Sequence, residues 1–274
     1  GSKLLARLLG KSDRIESIVY ATNSNMLVVV GGTPARFGEV QIWDTGTNKL
    51  IHSLKSTFDT IYGASLSPDN SFLAFGCTDE TARIISVKDQ KELVRFDNHS
   101  DWVLGTVFTT DGSHFVTGGR DTALKLTEVK SGSFVDDINA SNKGSGPIHK
   151  IARHPKLDQV LSGGEDRIPR LYRIFRQKRR DVGNTDFNLI RAFERQSDVI
   201  NAVAFSPDGS QIAVGTVGGE VRIYKVADGN RIATLSADST AVFTIAFHPN
   251  KDQVAIGGFD GQVRIFNPNS GELI

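Results

Sequence analysis

The residues of this chain that could do chemistry are few. Glu16 and Glu165 are two carboxylates that the repeat pattern set out below places at comparable rim positions, and paired carboxylates serve general acid–base hydrolysis. Neither has a histidine or a metal-ligand set beside it in sequence, so the case for catalysis is thin, and no catalytic residue, metal or cofactor is expected. His149 and His154 bracket a strand and its turn, while His154-Pro155 and His248-Pro249 each stand where a turn is expected. Cys77 is the sole cysteine, closes an apolar run and reads as a buried structural thiol. There is no Cys-x-x-Cys-His, no Gly-x-Ser-x-Gly and no phosphate loop. One basic cluster stands out. Arg176, Lys178, Arg179 and Arg180, with Arg167, Arg170 and Arg173, form an anion-binding candidate. The competing reading is a solvated outer edge whose cations discourage strand pairing. Net charge is +1, which argues against nucleic acid as the main partner.

The elements that must position these residues repeat. Pro68 precedes Ile85 by seventeen residues, and the same offset links Thr110 to Thr127, Pro155 to Tyr172, Pro207 to Tyr224 and Pro249 to Phe266. A stretched copy runs from Thr22 to Trp43. A period of about 42 residues signals a repeat architecture. Each copy opens with a β-branched residue seven before the marker: Ile15, Ile61, Val103, Ile148, Ile200 and Val242. A turn such as Ser67-Pro68-Asp69-Asn70 or Ser206-Pro207-Asp208-Gly209 follows, then a second apolar run ending at Gly76, Gly118, Gly163, Gly215 or Gly257. These glycines are expected to serve the bend from strand to turn. A third strand alternates basic and apolar residues, as in Val221-Arg222-Ile223-Tyr224, and a weaker fourth closes the unit. Four short strands per unit make a propeller blade.

The text resembles the WD-repeat family over nearly the whole chain. Ile42-Trp43-Asp44 carries the signature dipeptide intact, while Ile85-Ser86, Thr127-Glu128 and Tyr224-Lys225 replace it elsewhere. Asn98-His99 comes nearest to the family's Gly-His pair, and His99, Thr117 and Asp121 supply three members of its hydrogen-bond network in the third blade. The runs 36–43 and 164–172 look more narrowly like bacterial WD-repeat domains adjoining c-type cytochrome modules, which would imply a periplasmic setting. The expected fold is all-β: one domain over 3–274, with repeats at about 12–54, 55–96, 97–138, 139–195, 196–235 and 236–274. Residues 3–9 are expected to supply the last blade's fourth strand and close six blades; the alternative is an incomplete seven-bladed ring. Gly1-Ser2 looks like a cloning scar. The longest apolar run, Met26 to Val30, is too short to span a bilayer.

The resemblance implies a non-catalytic platform that binds a protein or peptide on the channel rim. Hydrolysis at a channel site and anion binding at 167–180 are the alternatives. By alternation, neighbours of each opening residue face the rim. With the turns before the third strands they give Arg14, Glu16, Tyr62, Trp102, Leu104, Arg120, His149, Glu165, Phe243 and Phe259 as the candidate contact set.

Overall fold

The computed structural model describes residues 4–22, 24–139, 146–177, 188–238 and 240–274. It is all-β, a six-bladed β-propeller by fold class, with its strands in consecutive antiparallel sheets. The first sheet is β1 (Arg14–Tyr20), β2 (Met26–Thr33), β3 (Phe37–Asp44) and β4 (Lys49–Thr57); the second is β5 (Ile61–Leu66), β6 (Phe72–Cys77), β7 (Ala82–Ser86) and β8 (Glu92–Phe96). The third holds β9 (Val103–Phe108), β10 (His114–Gly119), β11 (Leu124–Glu128) and β12 (Phe134–Asp137), and the fourth β13 (Ile148–Arg153), β14 (Gln159–Gly164), β15 (Arg170–Arg173) and β16 (Leu189–Ala192). The fifth holds β17 (Ile200–Phe205), β18 (Gln211–Thr216), β19 (Glu220–Lys225) and β20 (Arg231–Ser236); the sixth has β21 (Val242–Phe247), β22 (Val254–Gly258) and β23 (Val263–Phe266). The Cα positions cluster into two compact units, Gly1–Thr117 with Thr127–Phe134, and Gly118–Leu126 with Val135–Ile274.

Local sequence explains the pattern. Second strands are apolar on both faces and buried throughout, as in Leu27 to Val30 and Leu73 to Cys77. They lie between neighbours in the sheet and between layers above and below. Fourth strands are mostly exposed and polar, as in β4 and β20, which suits an outer edge. The turns between first and second strands place Asn70, Gly112 and Gly209 at φ of +61°, +73° and +81°, a region that Asn and Gly tolerate. Each is tied by its aspartate: Asp208 Oδ1 accepts from Ser206 Oγ at 2.6 Å and from the Ser210 N–H at 3.0 Å.

The glycines ending the second strands do something other than bend the chain. A Cβ on Gly163 would sit 2.5 Å from Ile200 Cγ2 and 3.1 Å from Val203 Cγ1. One on Gly215 would meet Val242 Cγ1 at 2.6 Å and Ile245 Cδ1 at 2.9 Å, and one on Gly118 would meet Ile151 and Ile148. Gly76 likewise faces Val103, at 2.4 Å from its carbonyl oxygen. Each glycine is a socket for the opening residue of the next blade, often with the residue three positions later. The absent side chain lets the blades approach. Val103, Ile200 and Val242 are accordingly fully buried.

In the stretched copy β2 and β3 are long and continuous, paired from Met26↔Asp44 to Thr33↔Phe37. Residues 4–10 carry no strand, and the described residues of the sixth sheet form three strands. Leu8 packs instead on Leu27, Val29 and Trp43 of the first blade. The outer edge of β23 meets the chain's own Leu273 through an isolated bridge to Phe266.

Candidate functional site

The rim positions are set by bulges. Each first strand whose register is resolved skips a residue just after it opens: between Ile15 and Ser17, Ile148 and Lys150, Ile200 and Ala202, and Val242 and Thr244. The skipped residues are Glu16, His149, Asn201 and Phe243. A bulge takes a residue out of the ladder and re-aims its side chain. In β5 the shift falls one later, at Gly63, and Tyr62 stays paired with Gly76. Plain alternation along the strand does not contain this bulge, which sets Glu16, His149, Asn201 and Phe243 apart from their ladders.

In the first unit, Tyr62 and Trp102 stack with ring centroids 6.0 Å apart and planes 18° from parallel. Trp102 is exposed, Tyr62 and Leu104 are half-buried, and the Trp102 N–H donates to Asp101 Oδ1 at 2.7 Å. Arg14 is exposed and Glu16 half-buried on β1. In the second unit, Phe243 and Phe259 form an exposed edge-to-face pair at 6.1 Å. His149 places Nδ1 3.1 Å from Asn201 Oδ1 and Nε2 3.6 Å from Glu165 Oε1. Arg120 and Glu165 are exposed at their turns. The ten candidates thus include two aromatic pairs and one polar cluster, each within its own unit.

The basic insertion gives less than its composition suggests. Arg176 is half-buried and ion-paired to Asp136. Lys178, Arg179 and Arg180 lie outside the described residues. Arg170 is paired too, with Asp166 four positions earlier; the same arrangement joins Arg83 to Asp79 and Arg264 to Asp260. The Arg264 guanidinium holds the Asp260 carboxyl below its ordinary range. The basic residue of the third strand, which looks like a surface feature in sequence, is the partner of the turn aspartate.

The internal networks also differ from the family pattern. In the first blade, Trp43 Nε1–H donates to Gln41 Oε1 at 3.0 Å, and Gln41 Nε2–H donates to Glu39 Oε2 at 2.8 Å. Ser53 and Ser12 hydroxyls and the Lys11 N–H also donate to the Glu39 carboxylate. Burial pushes the Glu39 pKa up, but these hydrogen bonds outweigh it and the net shift is downward. In the third blade, His99 Nε2 and Thr117 Oγ1 are 2.7 Å apart and buried. His154 and His248 are turn residues: His154 Nδ1 accepts from the Lys156 and Leu157 N–H groups, and His248 Nδ1 from Asn250. Cys77 is buried, and desolvation with Asp79 nearby pushes its thiol up to about 12, far from a reactive thiolate. Among the described residues, no group of three or more His, Cys, Asp or Glu is placed to hold a metal ion.

A polar cleft of about 480 Å³ that the sequence did not announce lies at the opposite strand ends from the rim. Ser206, Asp208, His248, Lys251 and Asn269, from turns of the fifth and sixth blades, are among the residues lining it, with Phe247 from the end of β21.

Residues 48–86 and 90–127 match the family described as WD domain, G-beta repeat. Residues 172–248 match the anaphase-promoting complex subunit 4 WD40 domain. These stretches are similar to WD40 repeats. Among curated proteins, WD repeat-containing protein 1 of Rattus norvegicus is 26% identical over 169 residues, which is 59% of this chain and 26% of that protein. Periodic tryptophan protein 2 of Arabidopsis thaliana is 22% identical over 242 residues, 73% of this chain and 26% of that protein. Autophagy-related protein 16 of Arabidopsis thaliana is 20% identical over 230 residues, 80% of this chain and 39% of that protein. The chain spans about a quarter of the length of the first two of these relatives.

Proposed function

We propose that residues 3–274 form one non-catalytic WD40-type platform that binds a protein or peptide through the bulge-and-turn rim. The observation that carries this reading is a pair of aromatic contacts with exposed members at the candidate rim positions: the Tyr62–Trp102 stack and the Phe243–Phe259 pair. Rigid aromatics lose little side-chain entropy on contact and dominate interface energetics. Arg14 and Arg120 add exposed cations on the same class of positions. The WD40 likeness supports a scaffold, and the pairing of Arg176 and Arg170 weakens the anion-binding reading. The narrower link to bacterial domains adjoining c-type cytochrome modules, with a periplasmic setting, rests on the runs 36–43 and 164–172 alone. The relatives named above are eukaryotic proteins.

The test is capture of a partner by the parent chain and by Trp102→Ala with Arg120→Glu. Loss of that partner with unchanged circular dichroism is the expected result. Equal capture by both chains refutes the rim reading.

A further inference from the structure

We propose that the cleft between the fifth and sixth blades binds a histidine side chain presented by a peptide, its imidazole seated between Phe247 and the Ser206 turn. The junction of the fourth and fifth blades shows the arrangement. His154 stands one residue before the marker Pro155 and is buried. Its Nδ1 accepts from the Lys156 and Leu157 N–H groups, both at 3.1 Å, which leaves the proton on Nε2. That nitrogen lies against the Gly209 backbone of the fifth blade, to which the ring hydrogen-bonds. The ring also packs edge-on against Phe205, with centroids 5.1 Å apart. A Cβ on Gly209 would stand 2.2 Å from Nε2, so the glycine is what admits the imidazole.

One junction further on, the places of His154, Phe205 and Gly209 are taken by Ser206, Phe247 and Lys251. The Ser206 hydroxyl stays in its own turn, donating to Asp208 Oδ1 at 2.6 Å and accepting from the Gln211 N–H at 3.0 Å. The second blade has a serine there too, Ser67, but its turn closes on the third blade. Pro68 Cδ comes within 3.1 Å of where a Cβ on Gly112 would stand. Between the fifth and sixth blades the residue is small on one side and is not glycine on the other. The result is the cleft of about 480 Å³, lined by Ser206, Asp208, Phe247 and Lys251. The cleft and the His154 junction both lie inside the second unit.

The lining selects the ring. Phe247 occupies the place from which Phe205 meets His154. Ser206 and Ser210 bring Asp208 down to about 2, so its carboxylate is charged at neutral pH and accepts an N–H, which a phenyl ring does not offer. Lys251 opposes a permanent cation such as guanidinium, whereas imidazole enters neutral. The volume exceeds that of one imidazole and leaves room for the backbone that carries it. Rim and cleft lie at opposite strand ends, so each is tested without the other.

The experiment is an amide NMR titration of the whole chain with N-acetyl-histidine amide at neutral pH. Saturable shifts are expected in 206–211 and 247–252, with a midpoint at about millimolar concentration. N-acetyl-phenylalanine amide and N-acetyl-arginine amide are expected to bind about ten-fold more weakly. Ser206→His rebuilds the His154 arrangement from within and is expected to abolish the shifts. Phe247→Leu keeps an apolar side chain without the ring and is expected to weaken binding about ten-fold. Circular dichroism checks the fold of both. Absence of saturable shifts in the two turns overturns the proposal. Equal affinity for the three amides does so too, as does binding by Phe247→Leu as tight as by the parent.

Discussion

Glu39 shows how one residue can replace a family network. The usual members are missing from the first blade, yet the signature Trp43 is still tied through Gln41 to a buried acceptor. Replacing Glu39 with Ala leaves the Ser53 hydroxyl and the Gln41 amide without their acceptor in a buried site. The expected cost is about 2–4 kcal/mol, read by urea denaturation. A second residue-scale outcome concerns Thr122, held at φ +68° in the turn before β11. A β-branched residue is strained there, and Thr122→Gly is expected to raise stability by about 1 kcal/mol. These two sites differ in legibility. The turn aspartates and Pro-Asp-Gly turns were plain in the sequence, because turn geometry is local. The Glu39 network was not, because its donors Ser12, Gln41 and Ser53 come from separate segments. The Asp–Arg pairs carried a signal that went unread: four-residue spacing from a turn Asp to a third-strand Arg recurs in three blades.

At the scale of the element, blade packing rests on a glycine and the β-branched residue that enters its socket. Gly215→Ala forces a Cβ to 2.6 Å from Val242 Cγ1. The expected loss is about 1–3 kcal/mol from overpacking. Gly257→Ala meets only its own blade's Thr244 and is expected to cost less in thermal denaturation of the monomer. Equal losses at the two positions would contradict the socket account. The periodicity revealed both halves of this contact, six opening residues and five glycines, without joining them; a period says what recurs but not which copy touches which. The bulges were likewise invisible. They change register by one residue and leave no composition mark, although the skipped residues include Glu16, His149 and Phe243 of the candidate contact set.

For the molecule as a whole, the repeated aspartate turns give acid sensitivity with a definite window. The Ser113 N–H and the Thr109 and Ser113 hydroxyls bring Asp111 down to about 2, and Ser206 and Ser210 bring Asp208 down to about 2, from an ordinary 3.8. Asp69 is lowered by Ser67 and Ser71 in the same way. A depressed carboxylate contributes its stability fully above the unfolded pKa and loses it as pH falls through the folded one. Melting temperature is therefore expected to fall between about pH 4 and pH 2. Asp111→Asn with Asp208→Asn is expected to melt lower at neutral pH and to lose part of that slope. An unchanged slope would remove the turns from the account. Above the turns, the sequence already showed the number of blades, the all-β class and the positions of the aromatics. It did not show that Leu8 packs on Leu27, Val29 and Trp43, because a strand-forming run of leucines fits an edge and an apolar patch equally well.

Contact of the rim with a protein partner is read out by amide hydrogen exchange on the complex. Binding is expected to protect 60–64, 101–104, 147–149 and 241–243 together with the turns at 118–121, 164–166 and 258–260. Protection confined to the outer strands β4, β8 and β20, or to residues 167–177, with the rim peptides unchanged, would contradict it.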